Sequence, residues 1–139
     1  MNYLLDTCAL LWLINGGQDL SPAARRACAE PAARMHVSAA SAWEIALKEK
    51  RGKLALGCAI ADWWSKAVRR YALAELPVSA QIAIASVSLP AIHSDPADRL
   101  LIATARQHGL SLLTPDRIIA QYPNLTVVWL DKHNSAFSL

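Results

Sequence analysis

No apolar run in this chain reaches the length of about eighteen residues that a membrane-spanning helix needs, so no span through a bilayer is expected. The opening segment MNYLLDT has no basic stretch ahead of its apolar residues, which argues against a secretory signal and makes the cytoplasm the expected location. Cysteine is scarce. The three present, Cys8, Cys28 and Cys58, are odd in number and form no C-x-x-C pair, so neither a disulfide framework nor a zinc site is indicated, and buried thiols are expected. Charge is thin as well, at 18% of residues against 54% hydrophobic, a balance that excludes a disordered chain. With 139 residues the chain is expected to form one domain that buries about two-thirds of its unfolded surface.

The charge that is present is unevenly placed. Lys48, Lys50, Arg51, Lys53, Lys66, Arg69 and Arg70 are half of the 14 cationic residues, and among them stand only two acids, Glu49 and Asp62. A solvated helical face explains such a run, and so does contact with a phosphate backbone.

Strand and helix signals alternate along the chain without a linker or repeat, an α/β pattern. Residues 2–6 (NYLLD) suit a short buried strand followed by one or two apolar helical turns. Ser21-Pro22 opens a helix to about Glu30, and residues 34–38 suit a second strand. Ser38 can cap a helix ending near Arg51 and Gly52, and residues 59–71 suit another. After a short segment at 73–77, Ser79 caps a helix to about Val87. Asp95-Pro96 is the clearest helix start, with Gly109 as its stop. Strands at 110–113 and 126–130 complete a parallel central sheet expected to carry helices on both faces.

On that scaffold four of only eleven acidic residues converge. Asp6 and Asp116 fall at or just beyond the carboxyl ends of strands, Asp98 in the first turn of a helix and Glu44 two turns into another. Ligands of open α/β sheets bind at that edge. Carboxylate oxygens gathered with open positions suit Mg²⁺ or Mn²⁺, and such a cluster of like charge is costly without a cation. Each acid has a plainer use: Asp98 complements a helix dipole, Glu44 pairs with Lys48, and Asp116 belongs to a turn. Asp6, closing a buried strand between apolar neighbours, has no such structural duty.

Other chemistries are not supported. His36, His93, His108 and His133 show no H-x-x-H spacing and are assigned loop or cap roles, and no Ser-His-Asp or Cys-His arrangement is apparent. A receiver domain wants a phosphoacceptor aspartate mid-chain, yet none lies between Asp19 and Asp62. A haloacid-dehalogenase-like phosphatase wants D-x-D after its first strand, where this chain has Asp6-Thr7-Cys8. Trp63 and Trp64 are adjacent, so at least one is a candidate for an exposed partner surface.

The segments LLDTCALLW (4–12), SAASAWEIALKEKRGKL (38–54), HSDPADRLLIATA (93–105) and LLTPDRII (112–119) together resemble PIN-domain ribonucleases, and within them VapC-type toxins of bacterial toxin-antitoxin pairs. The resemblance implies a single PIN-like domain over 1–130 with a tail at 131–139. It implies that Asp6, Glu44, Asp98 and Asp116 form the family's acidic quartet, with Thr7 and Thr114 as supporting hydroxyls and Asp95 left as a cap. It further implies one or two Mg²⁺ or Mn²⁺ ions, RNA as substrate, products with a 5′-phosphate and a 3′-hydroxyl, a homodimer, and an antitoxin that blocks the cleft. Lys48, Lys50, Arg51, Lys53 and Arg99 are candidate RNA contacts. The alternative is a catalytically silent scaffold of the same fold that binds RNA or a protein partner.

Overall fold

The computed structural model describes residues 1–129, so the expected tail at 131–139 and the end of the last expected strand lie outside the described residues. Five strands, β1 (Asn2–Leu5), β2 (Arg34–Ser38), β3 (Ala74–Leu76), β4 (Ser111–Leu113) and β5 (Val127–Val128), form one sheet in the order β3-β2-β1-β4-β5. Every pairing is parallel, as expected. Six α-helices supply the crossovers: α1 (Thr7–Ile14), α2 (Pro22–Ala29), α3 (Ala39–Lys50), α4 (Ile60–Arg70), α5 (Ala80–Val87) and α6 (Pro96–His108). Among the described residues no helix is long and apolar enough to cross a membrane.

Alternating side chains of the strands divide the core between the two faces of the sheet. Tyr3, Leu5, Val37 and Leu113 join Leu10, Ala24, Ala27 and Ile45 in one cluster, against which α4 also packs. Leu4 and Leu112 join Ile82 of α5 and Leu101, Ile102 and Ala105 of α6 in the other. Helices therefore cover both faces, which is why the strands read as continuous apolar runs.

The helix boundaries follow from local capping chemistry. Ser21, Ser38, Ser79 and Asp95 each accept a hydrogen bond from a first-turn amide, and Gly109 ends α6 in the left-handed conformation at φ 64°. A side chain with a Cβ is strained there, which explains the stop.

The strand order positions the site. The chain runs from β1 outward through β2 and β3, then returns to add β4 on the other side of β1. The order reverses between β1 and β4, and the crevice of a parallel sheet opens beyond the carboxyl ends at such a point. Asp6 follows β1 directly, and its amide extends the ladder to Leu113 O at 3.0 Å.

Two expectations about surface residues change. Cys8 and Cys58 are exposed and only Cys28 is partly covered, because in α1 it is Ala9 and Leu10 that face the sheet. Trp63 and Trp64 both pack partly buried against the first cluster, and Trp64 Nε1 donates to Glu75 Oε1 at 2.6 Å. The open tryptophan is instead Trp43, 56% exposed.

Candidate metal centre

Asp6, expected to have no structural duty, does have one: it is the N-cap of α1, and it is only 4% exposed. Oδ1 accepts from the Ala9 amide at 2.7 Å and Oδ2 from the Thr114 hydroxyl at 2.5 Å. Thr114 Oγ1 in turn accepts from the Asp116 amide at 3.1 Å, so one buried hydroxyl joins the ends of β1 and β4. Thr7 makes the corresponding link to α3: its hydroxyl donates to Glu44 Oε1 at 2.6 Å and lies 3.0 Å from Ser41 Oγ. Each threonine hydroxyl thus donates to an acid remote in sequence, Thr7 to Glu44 and Thr114 to Asp6. Ser41, one turn before Glu44 on α3, was not anticipated.

His93 closes the group. Its Nε2 lies 2.9 Å from Asp116 Oδ2 and 3.2 Å from Asp98 Oδ2, while Nδ1 accepts from the Asp95 amide at 3.1 Å. The expected loop role is therefore incomplete, since the ring faces two members of the quartet. Asp116 Oδ1 accepts from the Ile118 and Ile119 amides at 2.8 and 3.4 Å, so both of its oxygens already have donors. Thr114 and His93 thus link Asp6, Asp116 and Asp98, Thr7 holds Glu44 next in sequence to Asp6, and Asp95 caps α6 through the Ala97 amide.

Electrostatics show what assembling these groups costs. Burial raises Asp6 to about 6, with repulsion from Glu44 and Asp116 added and only partly offset by the Thr114 and Ala9 hydrogen bonds. Burial also raises Asp98 to about 7, along with repulsion from Asp95, Glu44 and Asp6, while His93 works the other way. Burial opposes ionisation of Asp116 too, but hydrogen bonds from His93, Ile118 and Ile119 outweigh it and hold its carboxyl below the ordinary value. An oxygen-rich cluster, buried at Asp6 and half-buried at Glu44, Asp98 and Asp116, in which two carboxyls resist ionisation fits a divalent cation, whose charge would offset both burial and repulsion. Ligand atoms of His93, Asp98 and Asp116 lie within 4.8 Å of one another, close enough to share an ion.

The candidate RNA contacts divide. Lys50, the last residue of α3, and Arg51 and Lys53 just beyond it are exposed, free to meet a polyanion. Lys48 makes the plainer i,i+4 ion pair with Glu44 at 3.3 Å and remains 40% exposed. Arg99 is turned elsewhere. Its guanidinium donates to the carbonyls of Pro90, His93, Val87 and Leu89 and to Tyr122 Oη, which fastens the 87–93 segment to α6. One helical step of about 100° separates it from Asp98, so adjacency in sequence gives no shared direction. Arg99→Lys, with one ammonium for these acceptors, is expected to cost about 1–3 kcal/mol in urea denaturation. An unchanged midpoint together with weakened RNA binding would return Arg99 to the RNA surface.

A cluster of acids at the reversal of a parallel α/β sheet defines a candidate cation-dependent domain. The PIN domain family matches residues 3–125, and the chain belongs to that family. It is 32% identical over 129 residues to Ribonuclease VapC22 of Mycobacterium tuberculosis, a match that covers 91% of this chain and 97% of the relative. The fold is shared with VapBC2 from Rickettsia felis bound to a promoter DNA fragment, at TM-score 0.66 and 17% identity over 91% of this chain and 97% of that one. It is shared also with a toxin-antitoxin complex from Klebsiella pneumoniae, at TM-score 0.61 and 22% identity over 90% and 96%.

Proposed function

We propose that this chain is a metal-dependent endoribonuclease acting as the toxin of a toxin-antitoxin pair. The observation that carries the proposal is the linkage of Asp6, Asp116 and Asp98 through Thr114 and His93 at the sheet's point of reversal, with Glu44 held to Thr7, the residue after Asp6. Kinship with a ribonuclease at 32% identity supports RNA as the substrate.

Asp6 and Asp98 are the principal holders of Mg²⁺ or Mn²⁺, with Glu44 as a further ligand or as the holder of a second ion. When bound, such an ion would neutralise phosphoryl oxygens and favour attack by water at neutral pH. Asp116, whose oxygens are already engaged by His93 and two amides, acts by fixing its neighbours. Thr7 and Thr114 hold Glu44 and Asp6 in place, while the buried position of Asp6 limits competing water. Lys50, Arg51 and Lys53 attract the phosphate backbone, and Lys48 can exchange its Glu44 partner for a phosphate. A cognate antitoxin would silence the protein by occupying the acidic cleft, and the toxin itself is a homodimer.

Protein freed of antitoxin is expected to cleave single-stranded RNA in Mg²⁺ or Mn²⁺ and to leave it intact in excess EDTA. Equal cleavage in EDTA would overturn cation dependence. RNA left whole under every condition by folded, cation-loaded protein would favour the silent scaffold.

A further inference from the structure

His93 occupies a position that nothing in its local sequence discloses. Its Nδ1 accepts from the Asp95 amide at 3.1 Å, and Asp95 is itself fixed as the N-cap of α6. A ring nitrogen that accepts carries no proton, so the ring's proton sits on Nε2. There it faces two carboxylates from different elements, Asp116 Oδ2 at 2.9 Å and Asp98 Oδ2 at 3.2 Å. The backbone on either side of the ring is also held: the His93 amide donates to Tyr122 Oη at 2.7 Å and its carbonyl accepts from Arg99 at 3.1 Å.

We propose that His93 is a positioning residue of the cation centre, using Nε2–H to hold Asp98 of α6 against Asp116 of the β4 loop, and is not itself a ligand. The inference rests on the reading of the acids as a cation centre. Ligation through Nε2 would require that nitrogen to give up its proton. The proton would then pass to Nδ1 and meet the Asp95 N–H head-on, donor against donor. The cap of α6 therefore decides the tautomer, and the tautomer makes His93 a donor to carboxylates. Outer donors of this kind orient ligating groups, and their loss commonly weakens metal binding by about ten- to a hundredfold.

Two substitutions separate the ring's two contacts. In His93→Asn the side-chain oxygen can still accept from the Asp95 amide, but no donor reaches the carboxylates. In His93→Gln the longer amide can place an N–H near the position of Nε2. Long-range proton–nitrogen NMR of the metal-free wild type is expected to show the proton on Nε2 and a bare Nδ1. Calorimetric titration with Mn²⁺ is expected to show affinity lowered about ten- to a hundredfold in His93→Asn and largely kept in His93→Gln. Pulsed EPR of the Mn²⁺-loaded wild type is expected to lack the coupling of a directly bound nitrogen. A proton on Nδ1, a strong nitrogen coupling, or wild-type Mn²⁺ affinity in a folded Asn variant would each overturn the proposal. Absence of Mn²⁺ binding by the wild type would instead overturn the cation centre, with the NMR result still deciding the placement of His93.

Discussion

Asp6→Asn is expected to abolish RNA cleavage while leaving a protein at least as stable as the wild type in metal-free buffer near neutral pH. The two halves of this result have separate causes. Asparagine keeps an oxygen for the Ala9 amide, so the cap of α1 survives. Its NH₂ replaces the oxygen that accepts from Thr114, whose hydroxyl can turn to receive the new donor, at the cost of about 1 kcal/mol for its own stranded proton. Against this, the substitution removes a carboxylate whose ionisation burial opposes, a penalty of about 3 kcal/mol for the rise from 3.8 to about 6. Cleavage suffers because a neutral amide cannot hold the cation as a carboxylate does. A loss of about a thousandfold or more corresponds to roughly 4 kcal/mol of transition-state stabilisation. RNA cleavage in Mn²⁺ and urea denaturation in EDTA, measured on one preparation, check both halves. A folded variant that cuts within about tenfold of the wild type would remove Asp6 from the centre. A variant that fails to fold would make it a structural cap.

Legibility in the sequence followed the range of the interactions concerned. Caps at Ser21, Ser38, Ser79 and Asp95 and the stop at Gly109 depend on a few adjacent residues, and each lies where the local pattern put it. The parallel sheet was legible because short apolar strands separated by helices admit few other arrangements. Placement of the acids near a strand edge followed from the same pattern, while the contacts that join them are remote. Thr114 reaches Asp6 across 108 positions, Thr7 reaches Glu44 across 37, and His93 reaches Asp116 across 23. The order of strands that brings β4 beside β1 lies outside local propensity, so the part played by His93 and Ser41 was not visible. Arg99 misled for a related reason, since its neighbour Asp98 enters the cleft while its own donors serve the 87–93 carbonyls. The exposure of Cys8 shows the same limit within a helix, where an apolar run hides which residue faces outward.

In metal-free protein, raising the pH from about 5 to about 8 is expected to lower the melting temperature by roughly 10 °C, and Mn²⁺ is expected to restore more of it at pH 8 than at pH 5. Folding moves Asp6 from 3.8 to about 6 and Asp98 from 3.8 to about 7, so both bind protons more tightly in the folded chain than in the unfolded one. The stability tied to them is complete below about pH 4 and is lost as pH rises through 6 and 7. Asp116 is shifted the other way; its contribution is present above pH 3.8 and fades only as acid protonates it below that point, outside the range compared. Each raised acid includes repulsion from the other, so their effects do not sum, and a loss of about 3 kcal/mol is a reasonable scale. A bound cation reverses the balance because it interacts with the ionised carboxylates and not with the folded-state protons it must displace. Its stabilisation grows with affinity, reaching about 2.7 kcal/mol at a concentration a hundredfold above the dissociation constant, and protons compete with it at pH 5. Differential scanning calorimetry in EDTA and in Mn²⁺ at the two pH values gives four melting temperatures that decide the matter. A metal-free protein that melts higher at pH 8, or a cation gain that is equal at both pH values, would mean that these acids do not form a charge-strained cation centre.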